Sequence, residues 1–401
     1  MTPPKTPIPL CLATLLLCLT PVSVLGAEWF IQGNASETVL YDDNLRLSTD
    51  DPEAGFGFIS TIGVDTGVQT GNLHAILSGT ADFTRYPDNS ESDADDYRVH
   101  FDGAHQTPLG EFRLGAAFSS QSTLTTQLVE DFDFSENATQ TTVSVDPSWS
   151  YDLTSRDRIN IYGGWTDTSF DSMTFSNSWS YTLGGGWTHQ LTEVDEVSTT
   201  LSMRHVESDS EMDMVTISDV YGIAFGWTHT SSDRLSFDVT VGPRLVSTKS
   251  MGVEETVRAG GFLDSSMQYA LDDRTTLSYT ASSAVEPTTT GDGGVEERQR
   301  VSVGITHRLA PRTSASLDAS YQRNGNLFFS NDDSDSGDDA DEQQFFSVSP
   351  SITHQLSRYW DLSATYRFRA EQTGDAGDLA IGNSFLVTLS YRLSKRDLGH
   401  W

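Results

Sequence analysis

The stretch WSYTLGGGWTHQL, residues 179–191, alternates along its whole length. Trp179, Tyr181, Leu183, Gly185, Trp187, His189 and Leu191 fall on one parity, and Ser180, Thr182, Gly184, Gly186, Thr188 and Gln190 on the other. A period of two places the two sets on opposite faces of a β-strand, one oily and one wet. The same split recurs in Leu235, Phe237, Val239 and Val241 against Ser236, Asp238, Thr240 and Gly242. It recurs again in Phe385, Val387, Leu389, Tyr391 and Leu393 against Thr388, Ser390 and Arg392. Strands of soluble sheets run about five or six residues. These runs match the roughly nine to eleven residues that a tilted strand needs to cross a membrane.

The end of the quoted stretch also recurs, as Trp187-Thr188-His189, Trp227-Thr228-His229, Ile305-Thr306-His307 and Ile352-Thr353-His354. Its aromatic or His member continues through the series His105, Tyr151, His189, His229, Tyr269, His307, His354 and Tyr391, at gaps of 37 to 47 residues. One such period holds two long strands. A tight turn follows each of the first seven markers (QTPLGE, DLTSRD, QLTEVD, TSSDR, LDDRT, LAPRT, LSRYWD), and a longer acidic stretch separates successive turns. Short turns on one rim and long loops on the other are the layout of a transmembrane barrel. The run Phe58–Val68, ending at QTGN, supplies a ninth even-numbered strand. The predicted fold is therefore all-β, an up-and-down antiparallel transmembrane β-barrel of about 18 strands, with 16 as the alternative and both ends of the chain on the periplasmic side. A propeller blade also takes about 40 residues, but it would divide them among four short strands.

The recurring phrase is explained as an aromatic girdle. His105, Tyr151, Trp187, His189, Trp227, His229, Tyr269, His307, His354 and Tyr391 fall where the outward face meets the inner-leaflet boundary, a depth that favours rings with one apolar and one hydrated edge. A histidine metal ring is the competing reading. It fails because the side chains would be spread around the whole circumference, far beyond the reach of one ion. No metal site and no cofactor are expected.

Composition bounds the remaining choices. Lys5 followed by the apolar run Ile8–Leu19 and the small residues near Gly26 and Ala27 reads as a signal peptide over residues 1–27. Cys11 and Cys18 both fall inside it, preceded by Leu10 and Leu17, which does not fit a lipid anchor. The barrel is assigned to residues 28–394 and a short tail to 395–401, where the last strand is expected to stop near Leu393. The chain carries 24 basic and 57 acidic residues, a formal charge of -33, which disfavours nucleic acid as a partner. The expected location is the bacterial outer membrane. The expected partners are outer-membrane lipid or lipopolysaccharide and the barrel-assembly machinery.

Function is sought on the inward face. The register assigns to it Arg98, Arg113, Arg204, Arg244, Arg258, Arg300, Arg308, Arg367, Arg369 and Arg392, with Asp65, Asp82, Asp102, Asp146, Asp238, Asp264, Asp318 and Asp361. Such residues either hydrate and brace a lumen or form a ladder that tunes solute selectivity. The loop NDDSDSGDDADE, residues 331–342, places Gly337 one position late for an EF-hand and reads as a solvated acidic loop. No nucleophile with a base and no phosphate-cradling loop is legible, and no catalysis is expected.

The segments YDDNLRLS (41–48), VDPSWSYDL (145–153) and VSPSITHQL (348–356), taken with the length and the leader, resemble the beta-barrel porin 2 family of bacterial outer-membrane proteins. The resemblance spans nearly the whole mature chain. It implies a conduit that takes part in exopolysaccharide export, partnered by a periplasmic polysaccharide-export protein. The residues themselves leave two alternatives open, a general porin for small polar solutes and a surface adhesin acting through its acidic loops.

Overall fold

The computed structural model describes residues 27–49, 51–126, 137–209, 215–232, 234–250, 254–288, 295–325, 343–373, 379–393 and 396–400. The segment read as a leader, residues 1–26, and the acidic loop 331–342 lie outside them. The strands are β1 (Glu28–Asp42), β2 (Gly55–Gln69), β3 (Leu73–Arg85), β4 (Ala94–Thr107), β5 (Gly110–Ser122), β6 (Thr139–Asp152), β7 (Asp157–Phe170), β8 (Asn177–Gln190) and β9 (Asp195–Asp209). They continue with β10 (Val215–Ser232), β11 (Leu235–Ser250), β12 (Thr256–Asp272), β13 (Thr275–Pro287), β14 (Val295–Ala310), β15 (Thr313–Gly325), β16 (Gln343–Gln355), β17 (Trp360–Thr373), β18 (Leu379–Arg392) and the short β19 (Arg396–His400). From β1 to β18 each strand pairs antiparallel with the next, and β1 pairs with β18 from Asn34↔Arg392 to Asp42↔Ser384, which closes the ring at 18 strands. The expected strand number and the up-and-down order are both met. Past Leu393 the tail adds β19, which lies against Glu28–Ile31 of β1.

All the marker residues lie near the ends of even-numbered strands. The turns after those strands are two to four residues long, while the connections at the opposite rim run from five residues upward. Physical alternation explains why the strands form. Large apolar side chains such as Leu183 (57% exposed), Leu201 (58%) and Phe385 (55%) stand uncovered on one face. In water so wide an apolar band would drive association, whereas around a barrel it matches the hydrocarbon of a membrane. The chain is accordingly a β-barrel of the outer membrane.

The triple glycine of the opening stretch answers to crowding, not to turn geometry. A Cβ at Gly184 would overlap the ring of Tyr162, which lies across the inner face of β7 and β8, and one at Gly186 would press on Asn160 and Thr200. Proline has an equally local effect. Pro147, Pro350 and Pro243 each coincide with a gap in the ladder to a neighbouring strand, because proline brings no N–H to it.

Candidate functional site: the lumen

Residues paired across neighbouring strands share a face, so the parity of Leu183 can be carried around the ring. That register places all eighteen arginines and aspartates singled out in the sequence on the face opposite Leu183. A contact across the ring identifies this face as the interior. Arg204 on β9 donates to the Val285 carbonyl at 3.0 Å and to Glu286 Oε2 at 2.9 Å on β13, four strands away.

Eight of the eighteen are cross-braced by a salt bridge. Arg98 pairs with Asp82, Arg113 with Glu111, and Arg392 with Asp361 at 2.7 Å. Two pairs are buried, Arg244 with Glu297 at 2.9 Å and Arg369 with Asp42 at 2.6 Å, and the side chains of the first are only 4% and 1% exposed. Asp238 accepts from Thr228 at 2.5 Å. Among the described residues Arg258, Arg300, Arg308 and Arg367 make no salt bridge, and neither do Asp65, Asp102, Asp146, Asp264 and Asp318. The two signs are interspersed along the wall, with carboxylates in excess.

Between the charges the wall is made of hydroxyls. Thr38–Thr388 (2.8 Å), Thr142–Thr168 (3.3 Å), Thr216–Ser250 (2.9 Å), Ser218–Thr248 (3.1 Å), Ser316–Ser351 (2.8 Å) and Ser320–Ser347 (2.8 Å) are cross-strand hydroxyl pairs, and every one of them lies on the inward face. A groove of about 290 Å³ follows β13 to β16 past Ser278, Thr280, Ser302, Asp318 and Ser347. A second, of about 390 Å³, passes Gln32, Asn34, Ser36, Asp361, Ser363 and Arg392.

Two insertions narrow the extracellular half. The connection after β1 folds against the inner wall, where Asn44 donates to the Ile381 carbonyl at 3.0 Å and Arg369 donates to the Asn44 carbonyl at 3.1 Å. Leu47, at a φ of +46°, packs on Phe345 and Ala380, with Leu124 from another loop beside them. A positive φ at a branched residue is uncommon, and burial holds it here. Nearby Tyr86 is desolvated beside Asp42, which together push its phenol up to about 12. The second insertion is the upper end of β13 and β14, where Val285 and Val295 pack on Val246 and Val220 of the facing inner wall. Sequence reasoning missed Glu286, Glu297, Val285, Val295 and Leu47. Val285, Val295 and Glu297 occupy odd-numbered positions of β13 and β14 that read as lipid-facing by simple alternation, Glu286 shares the inward parity but was passed over, and Leu47 sits in an acidic loop.

The girdle residues sit on the outward face. Three of the rings lie against a neighbour two positions away in the same strand: Trp187–His189, stacked at 5.5 Å, and Trp227–His229 and Trp149–Tyr151, tilted at 5.7 and 5.6 Å. The histidines also have a role that spacing did not reveal. His189 and His229 place Nδ1 at 2.8 Å from Asp157 and Asp195, while His307 and His354 meet the hydroxyls of Thr275 and Thr313 at 2.8 and 2.9 Å. Each partner is the first residue of the preceding odd strand. Asp157 and Asp195 are held in turn by Thr154 and Thr192 of the turn before them. His229→Ala should therefore loosen the periplasmic rim by about 1 kcal/mol, the usual worth of a hydrogen bond. A small fall in the temperature at which the folded gel band converts to the unfolded one would report it.

No protein-family model matches the chain, and no curated protein matches it. Solved barrels do resemble it in fold. The ferric citrate transporter FecA in the unliganded form aligns at a TM-score of 0.50 and 10% identity over 89% of this chain, which spans 63% of FecA's length. OccK2 (OpdF) of Pseudomonas aeruginosa aligns at 0.48 and 11% over 92% of this chain and 98% of its own. BauA, the ferric preacinetobactin receptor of Acinetobacter baumannii, aligns at 0.46 and 9% over 90% and 80%.

Proposed function

We propose that the protein is a passive channel of the outer membrane whose cargo is saccharide. The observation that carries this reading is the inward wall itself, hydroxyl paired with hydroxyl and cation with carboxylate around the ring. Such a wall exchanges hydrogen bonds with a polyol almost as water does, and its interspersed charges neither trap nor repel an uncharged solute. A ring of 18 strands is wide enough to enclose an aqueous path. The resemblance to beta-barrel porin 2 proteins favours exported exopolysaccharide as the particular cargo, with a periplasmic polysaccharide-export protein docking at the short-turn rim. The abundance of carboxylates in the chain disfavours a strongly anionic polymer.

Proteoliposomes containing the purified barrel should swell in neutral mono- and oligosaccharides faster than in organic anions of equal size. A strain lacking the gene should lose surface polysaccharide and accumulate precursor in the periplasm. Swelling with unchanged surface polysaccharide would leave a general porin. Lost surface attachment without any permeability would leave an adhesin.

A further inference from the structure

The wall of this barrel is not zipped to its full height. β12 and β13 pair from Asp272↔Thr275 up to Leu263↔Ser283 and no further. Above that point β12 stays on β11 as far as Thr248↔Thr256, and β13 stays on β14 as far as Pro287↔Val295. Among the described residues the facing edges of 256–262 and 284–287 therefore lack each other as partners. Leu245 and Val257, beside this edge, point outward and are 52% and 64% exposed. The free edge thus lies at a depth where the barrel meets apolar surroundings, and there an unpaired backbone is costly.

The missing partner is inside the lumen. The upper end of β13–β14 leans inward, with its odd-numbered face against the inner wall. Val285 and Val295 meet Val246 and Val220, Ser283 donates to Glu297 at 2.5 Å, and Glu297 pairs with Arg244. Arg204 reaches across to Glu286.

We propose that the seam between β12 and β13 is a gate, with two seats for one hairpin. In the seat seen here the hairpin is tucked into the lumen and narrows it. In the other seat the ladder continues in the same register, which sets Phe262 opposite Ala284, Gly261 opposite Val285, Gly260 opposite Glu286 and Ala259 opposite Pro287. The wall is then complete and the lumen wide. The chain fits both seats. Val285 is apolar and shares the parity of the outward Leu277 and Tyr279, with Ala281 and Ser283 between, so it suits lipid in one state and Val246 in the other. Ala259, Gly260 and Gly261 leave an edge unobstructed by large side chains. Glu297 meets its guanidinium only in the tucked seat, so the Arg244–Glu297 pair is the latch.

The two seats stand on the strand register alone, whereas the widening of the lumen rests on the channel reading. The test separates them. The only native cysteines are Cys11 and Cys18, which lie outside the described residues. Residues directly opposed in an antiparallel pair have Cα atoms about 4.5–5.5 Å apart, within disulfide range. In phospholipid vesicles, Gly261→Cys with Val285→Cys should oxidise to a disulfide, and adding Glu297→Gln should raise its yield severalfold. A short bifunctional thiol reagent should join Val246→Cys to Val285→Cys, and the joined form should conduct less than the unjoined one by about twofold or more. Heat-modifiable gel migration verifies that each variant is folded. If folded protein never joins 261 to 285, with or without Glu297→Gln, the second seat is refuted. If both pairs join but conductance is the same in either state, the gate is refuted. If no variant conducts while both pairs join, the channel reading fails and the two seats remain.

Discussion

Arginine in place of Leu183 is expected to destabilise the barrel by about 2–4 kcal/mol, the cost of a lipid-facing cation near the midplane of a membrane. Leu183 stands on the outward face of β8 between the Trp187–His189 stack and the Trp179–Tyr181 stack, so neither boundary is within easy reach of its side chain. Arginine at Thr240 is the matched control. That position faces inward and is paired with Asp264, so the new cation meets water and a carboxylate. Urea unfolding in phospholipid vesicles, followed by the shift between folded and unfolded gel bands, should separate the two. Equal damage at both sites would mean that the faces are assigned the wrong way round.

Arg369→Ala is expected to cost about 3–5 kcal/mol, because it leaves Asp42 as a buried carboxylate without its cation. Asp42 closes the ring. It sits at the end of β1, accepts from Arg369 and from Ser384 at 2.6 Å each, and thereby fixes β1 against β18 and β17. Arg369→Lys should recover part of the loss, because both bonds leave a single nitrogen, Nη2, and an ammonium carries enough donors to meet Asp42 and the Asn44 carbonyl together. Removing both charges, as Asp42→Asn with Arg369→Met, should restore most of the loss, which the same unfolding assay would read. If Arg369→Ala alone proves neutral, the pair does not close the ring.

Strand number, order and rim assignment were legible because one physical constraint acts on every strand alike. A tilted strand must be apolar every second residue where it meets lipid, and the ring at its lower end must tolerate water. Trp187, His229 and Tyr391 therefore sit at repeating distances that a reader can count. The inward charges were legible as a set but not as partners. Arg244 and Glu297 are far apart in sequence and meet only because β13 and β14 leave the wall, and Glu297 occupies a parity that alternation assigns to lipid. Leu47 was opaque for a related reason. Its loop resembles a solvated acidic connection, and only the inner-wall surface of Phe345 and Ala380 gives it a place to bury. Cargo is the least legible property, since hydroxyls and paired charges constrain chemistry by what they avoid.

A closed sheet has no edge, yet this one has a preferred place to tear. β1 and β18 are clamped along their length by the Asp42 contacts at one end and by β19 at the other. The line between Leu263 and Ser283 begins already parted at its upper end. Pulled or heated, the cylinder should unroll from there, into a ribbon whose two margins are β12 and β13. Its mechanical ends would thus lie deep within the polypeptide, while the strands nearest the two ends of the chain remain joined inside the ribbon, six strands from one margin and twelve from the other.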